Sequence, residues 1–455
     1  MASNSPPFPA TADFDGDRLV ALGGCAVDDL AADFGTPLWV MDEADLRARM
    51  RAYREALGDG DVVYAAKACS VVAVLQLALA EGLAVDVASA GELAAAQAAG
   101  ASPQRLVLHG NNKSAAELRA AADGAVGRTV VDDLGELAAL AELGEQRVAA
   151  GRQPGAPASG QAGGPAGTPI DVWLRLTPGV AAGHHEAVRT GTDEQKFGLS
   201  IRGGLARQAV DTAVAAPGLA LRGLHCHVGS GVVDPAAFEP AVDAMVGMLA
   251  EVRDRHGIEL AELDLGGGLG VAEGWGDPEP SIAAYGKALR AAVEAAGAAH
   301  GISPPRLAVE PGRSLVGPSG VTLYAVGSVK QIPEVGTYVA VDGGMSDNPR
   351  YALYRAAHPF TLAGRSAAKP AGEPVSVVGK HCEAGDVLAH HVALSGLPQS
   401  GGLLAAGAAG AYTQSMASTY NRVPRPAMVL VADGDARLVL RRETLDDLLR
   451  HDVAL

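Results

Sequence analysis

Residues 61–89 read DVVYAAKACSVVAVLQLALAEGLAVDVAS, and the fold turns on how this stretch is parsed. A short apolar run, VVYAAK, ends on Lys67; an Ala- and Leu-rich segment of helical length follows, and a second run, AVDVAS, ends on Ser89. That is the pattern of repeated βα units. Working outward, RLVLHG ends at Gly110, RTVVDD at Asp133 and IDVWLRLTP at Pro178. Then LRGLHCHVG ends at Gly229, ELDLGGG at Gly268 and RLAVEPG at Gly312. About eight strands spread over roughly 250 residues match an α/β fold of the (β/α)8 TIM-barrel type, with a doubly wound open sheet as the alternative. Closure is favoured because polar or glycine-rich residues gather at the C-terminal end of nearly every strand candidate, where barrels assemble their sites.

Beyond Pro318 the pattern changes to β-rich runs such as GVTLYAVGSVKQI, YVAVDGG and PVSVVGK, separated by turn residues. These predict a second, mainly β domain over 319–455, after a barrel over 43–318, with residues 1–42 joining the β domain through TPLWVMDE. The segment from Gly151 to Pro169 is so rich in Gly, Pro and Ala that it can neither build a core nor hold a helix. It reads as a surface loop insertion within the barrel; a linker between two domains is the alternative, disfavoured because the βα alternation resumes beyond it.

Composition narrows the function classes. A 455-residue chain with 48% hydrophobic residues can bury a large core. The 52 acidic against 36 basic residues give a formal net charge of −16, which opposes attraction to nucleic acid or to anionic lipid. No apolar run reaches the ~18 residues that span a bilayer, and the N-terminus shows no basic-then-apolar signal, so no membrane partner and a cytoplasmic location are expected. The cysteines Cys25, Cys69, Cys226 and Cys382 are scattered, without disulfide density or zinc-ligand spacing, which predicts reduced thiols and no metal.

The strand ends carry the chemistry. A lysine buried at a strand end has a depressed pKa and becomes a nucleophilic amine able to form a Schiff base; a lysine reaching solvent is the plainer reading of Lys67. His225 and His227 stand two apart, so in a strand they point the same way, and one imidazole could stack on a flat ring; a metal pair or a packed core histidine are the alternatives. Gly266, Gly267 and Gly268 end a strand and could offer backbone N–H groups to a phosphate, or form only a tight turn. Glu310 and Arg313 flank the Pro311–Gly312 turn, where a surface ion pair is the simpler explanation. Together, a Schiff-base lysine, a stacking histidine, a phosphate-binding glycine turn and a carboxylate for a ring nitrogen are the parts a pyridoxal phosphate site requires.

The stretches YAAKA, DVASAGEL, HGNNKS, QKFGL, GLHCHVGS, LGGGLG, EPGRSLVG, DGGMSDNPRYALY, GKHCEAGD and GAYTQSMASTYN carry a resemblance over nearly the whole chain. It resembles the diaminopimelate decarboxylase family, in the alanine-racemase and ornithine-decarboxylase-like group of pyridoxal-phosphate enzymes. The resemblance implies a barrel plus a C-terminal β domain, and a homodimer whose subunits share active sites. It implies pyridoxal 5'-phosphate as cofactor and decarboxylation of meso-2,6-diaminopimelate to L-lysine and CO2, the last step of lysine biosynthesis. It further implies Lys67 as the Schiff-base lysine, His227 stacked on the ring and Glu310 facing the ring nitrogen. Ser230, Gly267, Gly268, Pro311, Gly312 and Arg313 would bind or border the phosphate, and Tyr412 would touch the cofactor. Arg313, Arg350, Tyr354, Glu383 and Tyr412 would contact substrate, and Cys382 would supply a proton across the dimer interface. The departures from the family pattern are the Gly151–Pro169 insertion and the AKACS that follows the strand; neither removes a matching position.

Charge bears on the substrate independently. A diaminodicarboxylate presents a distal carboxylate that Arg313 and Arg350 suit by forked hydrogen bonding, with Tyr354 one helical turn beyond Arg350. That argues against ornithine or arginine as substrate, with a carboxylated polyamine remaining as an alternative. A catalytically silent regulatory relative is the reading from another class, and the presence of Lys67, Glu310 and Cys382 weighs against it.

Overall fold

The computed structural model describes residues 7–151, 167–180, 195–356, 358–370 and 372–455. The insertion therefore lies largely outside the described residues. Two compact units emerge: Met50–Gly270 with Pro280–Gly312, and Met1–Arg49 with Val271–Glu279 and Arg313–Leu455. Of the barrel expected over 43–318, residues 43–49, 271–279 and 313–318 group with the β unit.

The first unit is a closed parallel barrel. Its strands are β1 (Asp61–Ala65), β2 (Ala84–Val87), β3 (Leu106–Leu108), β4 (Arg128–Val131), β5 (Ile170–Thr177), β6 (Leu219–His225), β7 (Glu262–Asp264) and β8 (Arg306–Val309). Each pairs in parallel with the next, and β8 returns to β1 through Ala308 opposite Asp61 and Val309 opposite Val62. Leu199–Ser200 adds a short parallel strand beside the end of β5. Between successive strands run the helices Val72–Ala80, Ala90–Ala98, Ala115–Ala122, Leu134–Gly151, Leu205–Ala215, Glu239–His256 and Ile282–His300. Serines start three of them: Ser89 accepts the Glu92 N–H, Ser281 accepts that of Ala284, and Ser114 forms a reciprocal capping box with Glu117.

Val63, Val107, Val130, Trp173 and Ala308 form one buried cluster, and strands so far apart around the barrel can meet only through its interior. At the opposite ends of the strands Arg128 bonds Asp171 and Glu262, while Trp173 donates to Glu262. The N-terminal mouth is thus closed by ion pairs, leaving the C-terminal mouth for chemistry.

The second unit is built on a 12-stranded sheet around the long strand Gly320–Ile332. Leu38–Asp42, buried at every residue, lies between Gly320–Leu323, antiparallel to it, and Ala427–Val431, parallel to it. Its apolar run, Leu38–Met41, follows from burial on both faces of the sheet. No helix among the described residues is long and apolar enough to cross a membrane.

Candidate active site

Parallel closure gathers eight strand ends on one face, and each delivers a polar side chain there. Lys67 follows β1, Asp86 lies in β2, His109 follows β3 and Asp132 follows β4. Arg175 lies in β5, His225 ends β6, Asp264 ends β7 and Glu310 follows β8.

Lys67 is not buried as the apolar run suggests. The strand stops at Ala65, and Lys67 sits on a 3-10 turn, Ala66–Ala68, with its side chain exposed. The turn itself is fixed: Tyr64 donates its hydroxyl to the Cys69 carbonyl at 2.8 Å, and the Ala65 N–H bonds the Pro311 carbonyl. The ammonium lies close enough to pull down the acidity constants of Asp86 and Glu92, both of which burial pushes up.

The two histidines do not act as a pair. Strand β6 ends at His225, so the alternation expected to aim both the same way stops before His227. His225 Nε2 lies 3.1 Å from Glu310 Oε2, whereas His227 Nδ1 accepts the Gly267 N–H at 3.1 Å. Burial, then the Lys67 ammonium, pushes His227 well below the ordinary imidazole range, so the ring is neutral and half-buried.

The glycine run is also more committed than its sequence suggests. Gly266 donates to Asp264 Oδ1 at 2.7 Å and Gly267 donates to His227, so these two amides orient protein side chains instead of waiting for an anion. A Cβ on Gly267 would stand 2.3 Å from the Glu310 carbonyl, and one on Gly268, at φ +132°, would stand 2.6 Å from that of Gly229. Glycine is required here by close backbone packing. Ser230 is half-buried in the facing loop, next to the short bridge from Val232 to Leu269.

Glu310 is the centre of charge. Its Oε1 is 2.6 Å from His109 Nε2, and its Oε2 meets His225. Burial pushes its carboxyl up, but the two imidazoles outweigh burial and hold it well below the usual range. Asp264 goes the other way: burial, then the Glu310 charge, raises it well above that range. His109, His225 and Glu310 have their donor atoms within 4.8 Å of one another. A 2.6 Å contact is nevertheless tighter than the ~3.3 Å that tetrahedral zinc with ~2.0 Å bonds leaves between its ligands.

The β unit holds two further groups of site residues. In one, the Arg313 guanidinium lies over the Tyr412 ring at 5.1 Å. Gly410 lets that loop approach, since a Cβ there would collide with the Val316 carbonyl. Arg350 opens the short helix Arg350–Tyr354 and is 7% exposed; burial, then the like charge of Arg313, pushes it down to about 10, against the pull of Glu273, Tyr412 and Tyr354. Arg313 Nη1 and Arg350 Nε are buried without a protein acceptor among the described residues.

In the other group, Asp386 accepts from the Met345 and His381 N–H groups, both at 2.7 Å, and so folds GKHCEAGD against DGGMSDN. The Cys382 N–H bonds Asn421 Oδ1 at 3.0 Å, and the Tyr420 hydroxyl reaches Glu383. Cys382 is the one exposed cysteine of the four.

The sequence reading missed Asp86, His109, Arg175 and Asp264. Its available signal was one polar residue inside each apolar strand run: D in AVDV, H in VLHG, R in WLRLT and D in ELDL.

Comparison with known proteins places this architecture in a class. Residues 43–317 match the family described as pyridoxal-dependent decarboxylase, pyridoxal binding domain. The chain is 45% identical over 433 residues to a diaminopimelate decarboxylase from Actinosynnema pretiosum subsp. auranticum, covering 95% of this chain and 92% of the relative. It is 42% identical to one from Mycobacterium bovis, covering 100% of this chain and 98% of the relative. Among solved structures, a diaminopimelate decarboxylase from M. jannaschii in co-complex with L-lysine matches with a TM-score of 0.86 at 30% identity, over 98% of both chains. The chain belongs to the diaminopimelate decarboxylase family.

Proposed function

We propose that the protein decarboxylates meso-2,6-diaminopimelate to L-lysine and CO2 with pyridoxal 5'-phosphate as its cofactor. The observation that carries the substrate is the half-buried Arg313 with the buried Arg350, whose buried Nη1 and Nε lack a protein acceptor among the described residues. Two like charges held together with unfilled donors call for an anion, and the distal carboxylate of a diaminodicarboxylate supplies one. Ornithine and arginine carry no such group.

The barrel residues fit the cofactor. Lys67 is exposed and primary, His227 is neutral and only half-buried, and Glu310 is an ionised carboxylate beside them. When bound, the cofactor supplies an aldehyde for amines and a ring that accepts the electron pair left as CO2 departs. Lys67 would hold that aldehyde until the substrate's α-amine replaces it. His227 would lie against the ring, Ser230 and Gly268 would border the phosphate, and Glu310 would keep a proton on the ring nitrogen. In the β unit Arg350, Arg313 and Tyr354 hold the distal carboxylate, Glu383 takes the distal ammonium, and Cys382 returns a proton to Cα. The same reading makes the protein a cytoplasmic homodimer with shared sites, and its net charge of −16 supports the absence of nucleic-acid partners.

The deciding experiment offers the separated stereoisomers of diaminopimelate and measures lysine and CO2. Lysine from the meso isomer alone is expected; faster consumption of ornithine or arginine would overturn the substrate assignment. Arg350→Ala is expected to raise KM for diaminopimelate by about tenfold or more, the loss of one charge-assisted hydrogen bond, with cofactor absorbance unchanged. Reduced absorbance at constant KM would move Arg350 out of the substrate role.

A further inference from the structure

We propose that His225 and His109 are positioning residues for Glu310: His225 donates an in-line N–H to Oε2, and His109 presses on Oε1, so that the carboxylate stays charged and presents Oε1 to the cofactor's ring nitrogen. The inference rests on the role given to Glu310 above and goes beyond it by naming what sets the charge of that group.

The geometry is specific. Glu310 comes from the turn after β8, His225 from the end of β6 and His109 from just past β3, so three separate strand ends converge on one carboxylate. Oε2 has an aligned donor in His225 Nε2 at 3.1 Å. Oε1 lies 2.6 Å from His109 Nε2 and has no aligned hydrogen-bond donor among the described residues. The two imidazoles meet edge to face, with centroids 5.0 Å apart and planes at 67°, so turning one ring displaces the other. An ionised carboxylate has no hydrogen to give, so the hydrogen of the His225 contact must sit on Nε2. Burial holds the His225 ring at about 4, and it therefore donates as a neutral imidazole.

The surroundings make this support necessary. Burial raises Asp86 and Asp264, two more buried carboxyls; the Glu310 charge raises each further, and that of Asp86 adds to Asp264. Three carboxylates in one low-dielectric pocket cannot all stay ionised. The imidazoles decide which does: Glu310 keeps its charge and Asp264 keeps a proton. The distinction matters chemically. An ionised Glu310 accepts a hydrogen bond from a protonated ring nitrogen, whereas a protonated Glu310 would donate its own hydrogen to an unprotonated one. Only the first arrangement gives the ring its full pull on the electron pair released with CO2.

The test uses holoenzyme loaded with pyridoxal phosphate carrying 15N at the ring nitrogen, whose chemical shift separates the pyridinium from the pyridine form. The native protein is expected to show the pyridinium shift at neutral pH. His225→Leu is expected to move it to the pyridine value and to lower kcat on the order of ten- to a hundredfold, the usual scale for losing a partner that orients a functional group. His109→Leu is expected to move the shift part of the way. His225→Gln keeps an N–H donor at the position of Nε2 but cannot take up a proton, and it is expected to restore the pyridinium shift. His225→Met serves if the leucine variant does not fold. A pyridinium shift that survives at neutral pH in the leucine or methionine variant, or a glutamine variant indistinguishable from leucine, overturns the inference. Glu310→Gln separates the two layers: if it leaves the pyridinium shift in place, the role of Glu310 itself falls; if it abolishes that shift while the apolar His225 variant does not, only the histidine inference falls.

Discussion

Lys67→Ala is expected to abolish lysine formation, a loss on the order of a thousandfold or more, because one substitution removes both the amine that holds the cofactor and a group placed to move protons at the reacting carbon. The structure lets chemistry be separated from folding in this variant. The Lys67 turn is held by the Tyr64 hydroxyl on the Cys69 carbonyl and by the Ala65 N–H on the Pro311 carbonyl, and neither bond uses the lysine side chain. The exposed side chain can be removed without breaking either of the bonds that fix the turn, so the variant is expected to fold. The expected result is a protein with native thermal unfolding that borohydride can no longer link to pyridoxal phosphate. Full turnover in a purified Lys67→Ala protein would end the cofactor assignment.

Position along the chain explains what was legible in advance. All eight barrel strands are readable as short apolar runs between helix-length segments, because each strand is buried on both faces and each run is bounded by turn residues. Their ends are less readable. VVYAAK continues apolar for a residue past Ala65 because Ala66 is buried in the turn, so a burial pattern alone carries the strand too far and buries Lys67 with it. The same overrun puts His227 into a strand that has already stopped at His225. The Glu310 partners were out of reach for a different reason. His109, His225 and Glu310 are 116 and 85 residues apart in sequence, and only barrel closure, the pairing of β8 with β1, makes them neighbours. The glycine run shows the converse. GGG reads as an open row of donors, but two of its N–H groups are taken by Asp264 and His227, side chains that no local pattern ties to them.

Cys382→Ala is expected to keep cofactor and substrate binding while losing roughly a hundredfold in turnover, the usual cost of removing a general acid. Cys382 is the only exposed cysteine, whereas Cys25, Cys69 and Cys226 are buried and burial raises all three, so they are poor proton donors near neutral pH. Its backbone is held independently of the thiol: the N–H bonds Asn421, and Asp386 fixes the loop by accepting from Met345 and His381. Alanine therefore leaves the loop in place and deletes only sulfur, so native unfolding and unchanged cofactor absorbance should accompany the loss. The proposed homodimer adds a sharper test. If Cys382 serves the partner's site, a dimer of one Cys382→Ala and one Lys67→Ala subunit contains one site with both native residues and one with neither. Random exchange makes half the dimers mixed, so about a quarter of native activity should return from two nearly inactive proteins. A mixture whose subunit exchange is verified by mass and which stays inactive would confine Cys382 to its own subunit, and sharing would have to be abandoned even if the single variant behaved as expected.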